Sequence, residues 1–219
     1  MDYNEFHQQL KPFYDAYNGI IKPLIAEIEV RYEQFPTQIY NEIRAFNDHV
    51  ARCYGNFSDD ECVKEQLKKA KGHIDRAILD CYKFLNVHFH DDLIIKFDKK
   101  TKRIDLTAIS DGTFYTEYKN CRQYVIENLK KAKLLESKED KSKSMELYEL
   151  VHNKYFELEK LIDINNTNIN WARAKFFFKN RLLTFLIWAG TIIVSTLVGA
   201  IIQSNFNAIT DFFKHLFVG

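Results

Sequence analysis

The sequence predicts an all-α protein: a cytoplasmic helical bundle, one C-terminal transmembrane helix and a short amphipathic tail helix. Three observations predict it. Gly (7) and Pro (3) are scarce in 219 residues, so breakers are few. Apolar residues recur at i, i+3, i+4 over long stretches. Residues 182–202 contain no Asp, Glu, Lys or Arg, and no other stretch of the chain resembles this one.

Residues 3–34 read as helix, with Tyr3, Phe6, Leu10, Phe13, Tyr14 and Tyr17 on one face and a break or bend at Gly19 and Pro23. Pro36 suits a helix start, and Ile39, Ile43, Phe46 and Val50 continue a stripe to about Tyr54. "FSDDECV" is a helix entry in which Ser58 caps, Glu61 lies three residues on and Phe57 is placed as a staple. The helix that follows carries Val63, Leu67, Ala70, Ile74, Ala77, Ile78, Cys81 and Leu85, towards about Asp98. "KFDKKTKRIDLTAISDG" is the least regular part, a loop or a short strand pair. Further helices are expected from Phe114 to Glu136 and from about Ser144, the last running on through "NNTNINWARAKFFFKNR" into the apolar segment.

Lys+Arg (31) balance Asp+Glu (30), so net charge argues for no nucleic-acid partner and only local clustering can. Cys53, Cys62, Cys81 and Cys121 form no CxxC pair and follow an acidic, polar start, which reads as reduced thiols in a cytosolic compartment. The cysteine spacing offers no hint of a zinc site, and no cofactor is implied.

At 1.5 Å per residue the uncharged segment makes a helix of roughly 30 Å, the thickness of a bilayer core. The organisation expected is a sensor domain at 1–170, a basic aromatic juxtamembrane segment at 171–181, a transmembrane helix at 182–203 and an interfacial tail at 204–219. Trp171 and three phenylalanines sit where an interfacial belt would lie. Arg173, Lys175, Lys179 and Arg181 precede the span with no acid among them, which places the N-terminal domain in the cytoplasm and the span in the inner membrane. In the tail, Phe206, Ile209, Phe213, Leu216 and Phe217 share one helical side. Within the span Thr191, Ser195 and Gly199 share one face, roughly in line with Thr184, Trp188 and Gln203. Small and hydroxyl residues at that spacing suit helix association, and in a ring of copies a narrow pore. Packing alone accounts for the same pattern.

Two neighbouring helices concentrate cations. Arg44 and Arg52, with His49 between, lie on the first; Lys69, His73, Arg76 and Lys83 follow one face of the second, widened by Lys68 and Lys71. As an antiparallel pair they form one groove without acids, suited to phosphates, with Tyr40, Tyr54 or Tyr82 near enough to stack a base and Gly72 leaving room for close approach. The competing reading is two solvated faces paired with Glu42, Asp48, Glu65, Asp75 and Asp80. "NVHFHDD" (His88, His90, Asp91, Asp92) is the densest His/Asp cluster, but no phosphate-binding loop, GxSxG or HExxH accompanies it, so the chain reads as a non-enzyme.

"EIRAFNDHVARCY", "KKAKGHIDRAILDCYK" and the single span after "NWARAKFFFKNR" resemble the membrane effector of Hailong-type antiviral defence systems. The resemblance covers most of the chain. It implies a nucleotidyltransferase partner that makes an oligomer of deoxyadenosine, a homo-oligomeric effector held shut by that single-stranded DNA oligomer, and a channel that depolarises the membrane once the oligomer is lost. On it, Arg44, Arg52, Lys69, His73 and Arg76 are ligand contacts, and Thr191, Ser195 and Gly199 the pore or packing face. The alternatives are a tail-anchored scaffold whose groove binds protein, and a membrane-tethered hydrolase using His88, His90 and Asp92.

Overall fold

The computed structural model describes residues 2–138 and 140–218, excluding the side chains of Ile209, Lys214, Phe217 and Val218. The chain is all-α, with no strand among the described residues. Helix α1 (Tyr3–Ala16) passes through a π turn (Tyr17–Ile21) into α2 (Lys22–Tyr32). The expected bend is therefore a widened turn. There the Lys22 N–H reaches back to the Tyr17 carbonyl, and Pro23, which has no N–H to place, sits in the first turn of α2.

Helices α3 (Thr37–Gly55) and α4 (Asp60–His90) form an antiparallel hairpin, and α6 (Thr113–Ser137) and α7 (Lys141–Ile164) form a second. Helix α4 packs against both, so its apolar positions are buried along its whole length: Val63, Ala70, Ile74, Ala77, Cys81, Leu85 and Phe89. Arg31 ties α2 to α7 with paired bonds to Glu159 (2.7 and 3.0 Å) under the rings of Phe89 and Phe156.

Two expectations at the ends of α4 need correction. The cap of α4 is Asp59, not Ser58: its carboxylate accepts from the N–H groups of Glu61 and Cys62 (3.1 and 3.0 Å), and a carboxylate is favoured at that positive end. Phe57 stacks on Tyr3 (4.2 Å between centroids) and meets Phe6 edge-on, pinning the hairpin to α1. The region after α4 is not a strand pair. A π turn (Asp91–Lys96), a short helix α5 (Phe97–Thr101) and two 3₁₀ turns (Leu106–Ala108, Ser110–Gly112) fill it, and Asp98 anchors it to α6 by accepting from Tyr118 Oη (2.7 Å) and pairing with Arg122 (3.1 Å). Gly112 supplies the positive φ (84°) that turns the chain into α6.

The last bundle helix does not run into the apolar segment. It stops at Asn165, and α8 (Asn166–Ser204) starts afresh. Asn165 is buried; its amide donates to the Leu161 carbonyl (2.9 Å) and its Oδ1 accepts from Ser110 Oγ (2.9 Å), so the joint is held on both sides. Helix α8 is 39 residues long and contains the one stretch among the described residues that is apolar and long enough to cross a membrane, with mean hydropathy 2.3 and none of that stretch buried. Helix α9 (Phe206–Val218) follows a turn at Asn205 and exposes Phe206, Phe212, Phe213 and Leu216. Of the tail face expected from the sequence, the side chains of Ile209 and Phe217 lie outside the described residues.

Candidate functional site

The α3–α4 hairpin brings His49, His73 and Arg76 together, but around an acid. Glu42 projects from α3, accepts from Arg76 Nε (2.8 Å) and lies 2.8 Å from His73 Nδ1, which Arg76 Nη2 also approaches to 2.6 Å. The His49 and His73 rings stack at 5.1 Å, and His49 Nδ1 lies 2.6 Å from Gln66 Oε1. Burial raises the affinity of Glu42 for a proton, but the bonds from His73 and Arg76 outweigh it and hold the carboxyl below its ordinary range. The expectation of a groove without acids is therefore overturned. A half-buried carboxylate needs partners, and the basic residues one and two turns along the facing helix supply them.

The other cations of that face separate. Lys69 pairs with Glu65 at 2.5 Å and Lys71 with Asp75 at 2.6 Å. Lys83 is bonded to Glu136 on α6. Arg44 and Arg52 are exposed and have no ion pair among the described residues. Tyr82 is buried and cannot stack a base; Tyr40 donates to Glu29 (2.6 Å), and Tyr54 packs edge-on against Phe6. A Cβ on Gly72 would meet nothing nearer than Arg76 Nη1 at 3.5 Å, so that glycine answers no close approach in the bundle.

The His/Asp cluster also disperses. His88 stacks on Tyr32 (4.4 Å), His90 Nδ1 lies 3.0 Å from Tyr155 Oη, and both Asp91 and Asp92 pair with Lys96. No group of three metal-ligating side chains occurs among the described residues.

Two clefts open along α4 on the side facing α6 and α7, separated by the Lys83–Glu136 bridge. One, of about 280 Å³, is lined by Lys71, Arg76, Lys83, Glu136 and Lys141 among others. The second, of about 550 Å³, has Val87, Leu129 and Tyr148 as apolar walls, with Asn86, His90 and Lys133 at its polar points. Asn86, Leu129, Lys133 and Tyr148 were not picked out from the sequence. A signal existed: Asn86 sits on the apolar stripe of α4 between Tyr82 and Phe89, where an amide is out of place.

In α8, Thr184, Thr191 and Ser195 are exposed, as is Gly199, beside which nothing lies within 4 Å, and Gln203. The hydroxyls bond back to their own helix: Thr184 to Asn180 (2.9 Å), Thr191 to Ile187 (3.1 Å) and Ser195 to Thr191 (2.7 Å) carbonyls. Ahead of the span, Lys175 lies over the Trp171 ring (5.0 Å) and Arg173 over Phe177 (5.8 Å), a cation–aromatic collar suited to a headgroup layer.

Compared with known proteins, the chain matches no family model, no curated protein and no solved structure.

Proposed function

We propose that the chain is an oligomeric membrane effector of antiphage defence. In this reading α8 crosses the inner membrane once, the bundle lies in the cytoplasm, and the spans of several copies line an ion pore. A nucleotide or single-stranded oligonucleotide made by a partner nucleotidyltransferase binds the bundle and sets whether the pore is open. One observation carries the reading. Helix α8 begins inside the bundle, with Ile169 only 1% exposed, and runs unbroken to Ser204 through a stretch with no burial at all. A rod so placed, about 58 Å long at 1.5 Å per residue, transmits a tilt of the bundle to the membrane.

The ligand surface on this reading is the exposed line of Arg44, Arg52 and Lys69, with His73 and Arg76 reached by displacing Glu42 from them. Phosphate and carboxylate then compete for the same donors, and that competition is the switch. The test is oligonucleotide binding by the full chain in nanodiscs, read against salt. Arg76→Glu should abolish binding, and Glu42→Gln should tighten it severalfold by removing the competitor. Binding unchanged in both variants would sink the assignment.

A second reading has one observation in its favour. Because the span's hydroxyls are satisfied within their own helix, α8 is chemically complete alone in lipid, as the span of a tail-anchored scaffold would be. Ion flux separates the two.

A further inference from the structure

We propose that the cleft between α4, α6 and α7 is a binding site for a small planar organic anion carrying an N–H donor. Its volume of about 550 Å³ is that of a small-molecule site. A shallower trough lined by Ile126 and Leu134 continues from it and shares His90, Leu129 and Lys133, so the apolar surface extends beyond one ring's width.

Each part of the ligand answers a feature of the wall. Val87 is 66% exposed although it lies in the last turn of the otherwise well-packed central helix, and with Leu129 and the Tyr148 ring it offers a flat apolar slot. Asn86 is 1% exposed; its Nδ2 donates to the Tyr148 carbonyl (2.9 Å), while its Oδ1 has no donor. Asn86 lines the cleft, and a buried amide oxygen left unpaired asks for an N–H, which a ligand seated there would bring. On the rim, Glu136 is already committed to Lys83 and to Tyr148 Oη (3.3 Å), which leaves Lys133 without an ion pair among the described residues. Burial and the nearby Arg122 push the His90 pKa down, so its ring is a neutral wall. The open charge of the cleft, Lys133, is therefore positive, as is Lys130 in the adjoining trough, and Lys133 stands across the slot from the unpaired oxygen's helix. An aromatic body, one anionic group and one N–H satisfy all three features at once. This site is independent of the oligonucleotide reading, and its test reads binding and not ion flux.

The test is isothermal titration of the full chain in nanodiscs with three probes: indole-3-acetate, naphthalene-1-acetate, which lacks the N–H, and indole, which lacks the anion. Empty nanodiscs supply the baseline for partition into lipid. Saturable binding of indole-3-acetate is expected, with each of the other probes weaker by about fivefold or more, the worth of one hydrogen bond or one exposed charge contact. Lys133→Glu, an exposed change that leaves the core alone, should weaken indole-3-acetate by about tenfold, Leu129→Trp should fill the slot and abolish binding, and Glu5→Gln, exposed on α1 away from the cleft, should change nothing. Absence of saturable binding at millimolar probe overturns the proposal. So does naphthalene-1-acetate binding as tightly as indole-3-acetate, or indifference to both Lys133→Glu and Leu129→Trp.

Discussion

Glu42 is the residue on which the charged face turns. Its carboxyl is held below the ordinary value of about 4.5, so the folded protein binds fewer protons there than the unfolded chain. The stability that this provides is complete above the ordinary value and declines as pH falls through the lowered one. Glu42→Gln should therefore lower stability by about 1–2 kcal/mol at pH 7, and denaturant titrations should show wild type and variant converging as pH falls below the ordinary carboxylate value and through the lowered one. A gap that stays constant down to pH 3 would mean that His73 and Arg76 do not hold the carboxylate. The cysteines give a second check. Burial, with Asp80 adding to it, pushes the Cys81 thiol up to about 12, whereas Cys62 is only partly covered. A maleimide at neutral pH should label Cys62 first and leave Cys81 untouched until the protein unfolds.

The helices show what the sequence made legible and what it hid. Long amphipathic stripes and scarce breakers marked α1 to α3, α6 and the starts of α4 and α7 to within a few residues, because a 3.6-residue period survives any packing partner. The cap at Asp59 instead of Ser58 was ambiguous, since two capping residues stand side by side. The Asn165 joint was hidden because its cause is tertiary: Ser110, 55 residues away, holds the asparagine that ends α7. Glu42 was visible as a residue but not as the centre of the basic face, because which acids of an antiparallel pair meet which bases depends on register. The cleft at Asn86 arises from the approach of α6 and α7, which no local pattern reports. The core makes the element-scale prediction. Leu85, fully buried on α4, should cost about 2–5 kcal/mol on truncation to Ala, whereas Leu150→Ala on the exposed side of α7 should cost under about 0.5 kcal/mol.

For the whole molecule, the question is whether bundle and membrane segment act as one device. On the reading proposed above, passing from nearly all closed to nearly all open takes a ligand that favours one state by about 5.5 kcal/mol, which a few charge-assisted phosphate contacts per subunit, repeated around a ring, would supply. On that reading the change travels through α8 between Ile169 and the apolar stretch. Ala172→Pro, which removes a hydrogen bond and kinks the rod outside the membrane, should leave oligonucleotide binding unchanged while making any conductance indifferent to it.

The most direct test is a planar-bilayer recording of the purified full chain with and without a short single-stranded DNA oligomer. Discrete ion currents that the oligomer suppresses, and that Ser195→Leu alters, are the result predicted for a gated pore lined by α8. A silent bilayer with the protein shown to be inserted, in the presence and absence of the oligomer, would contradict that account and leave α8 as an anchor.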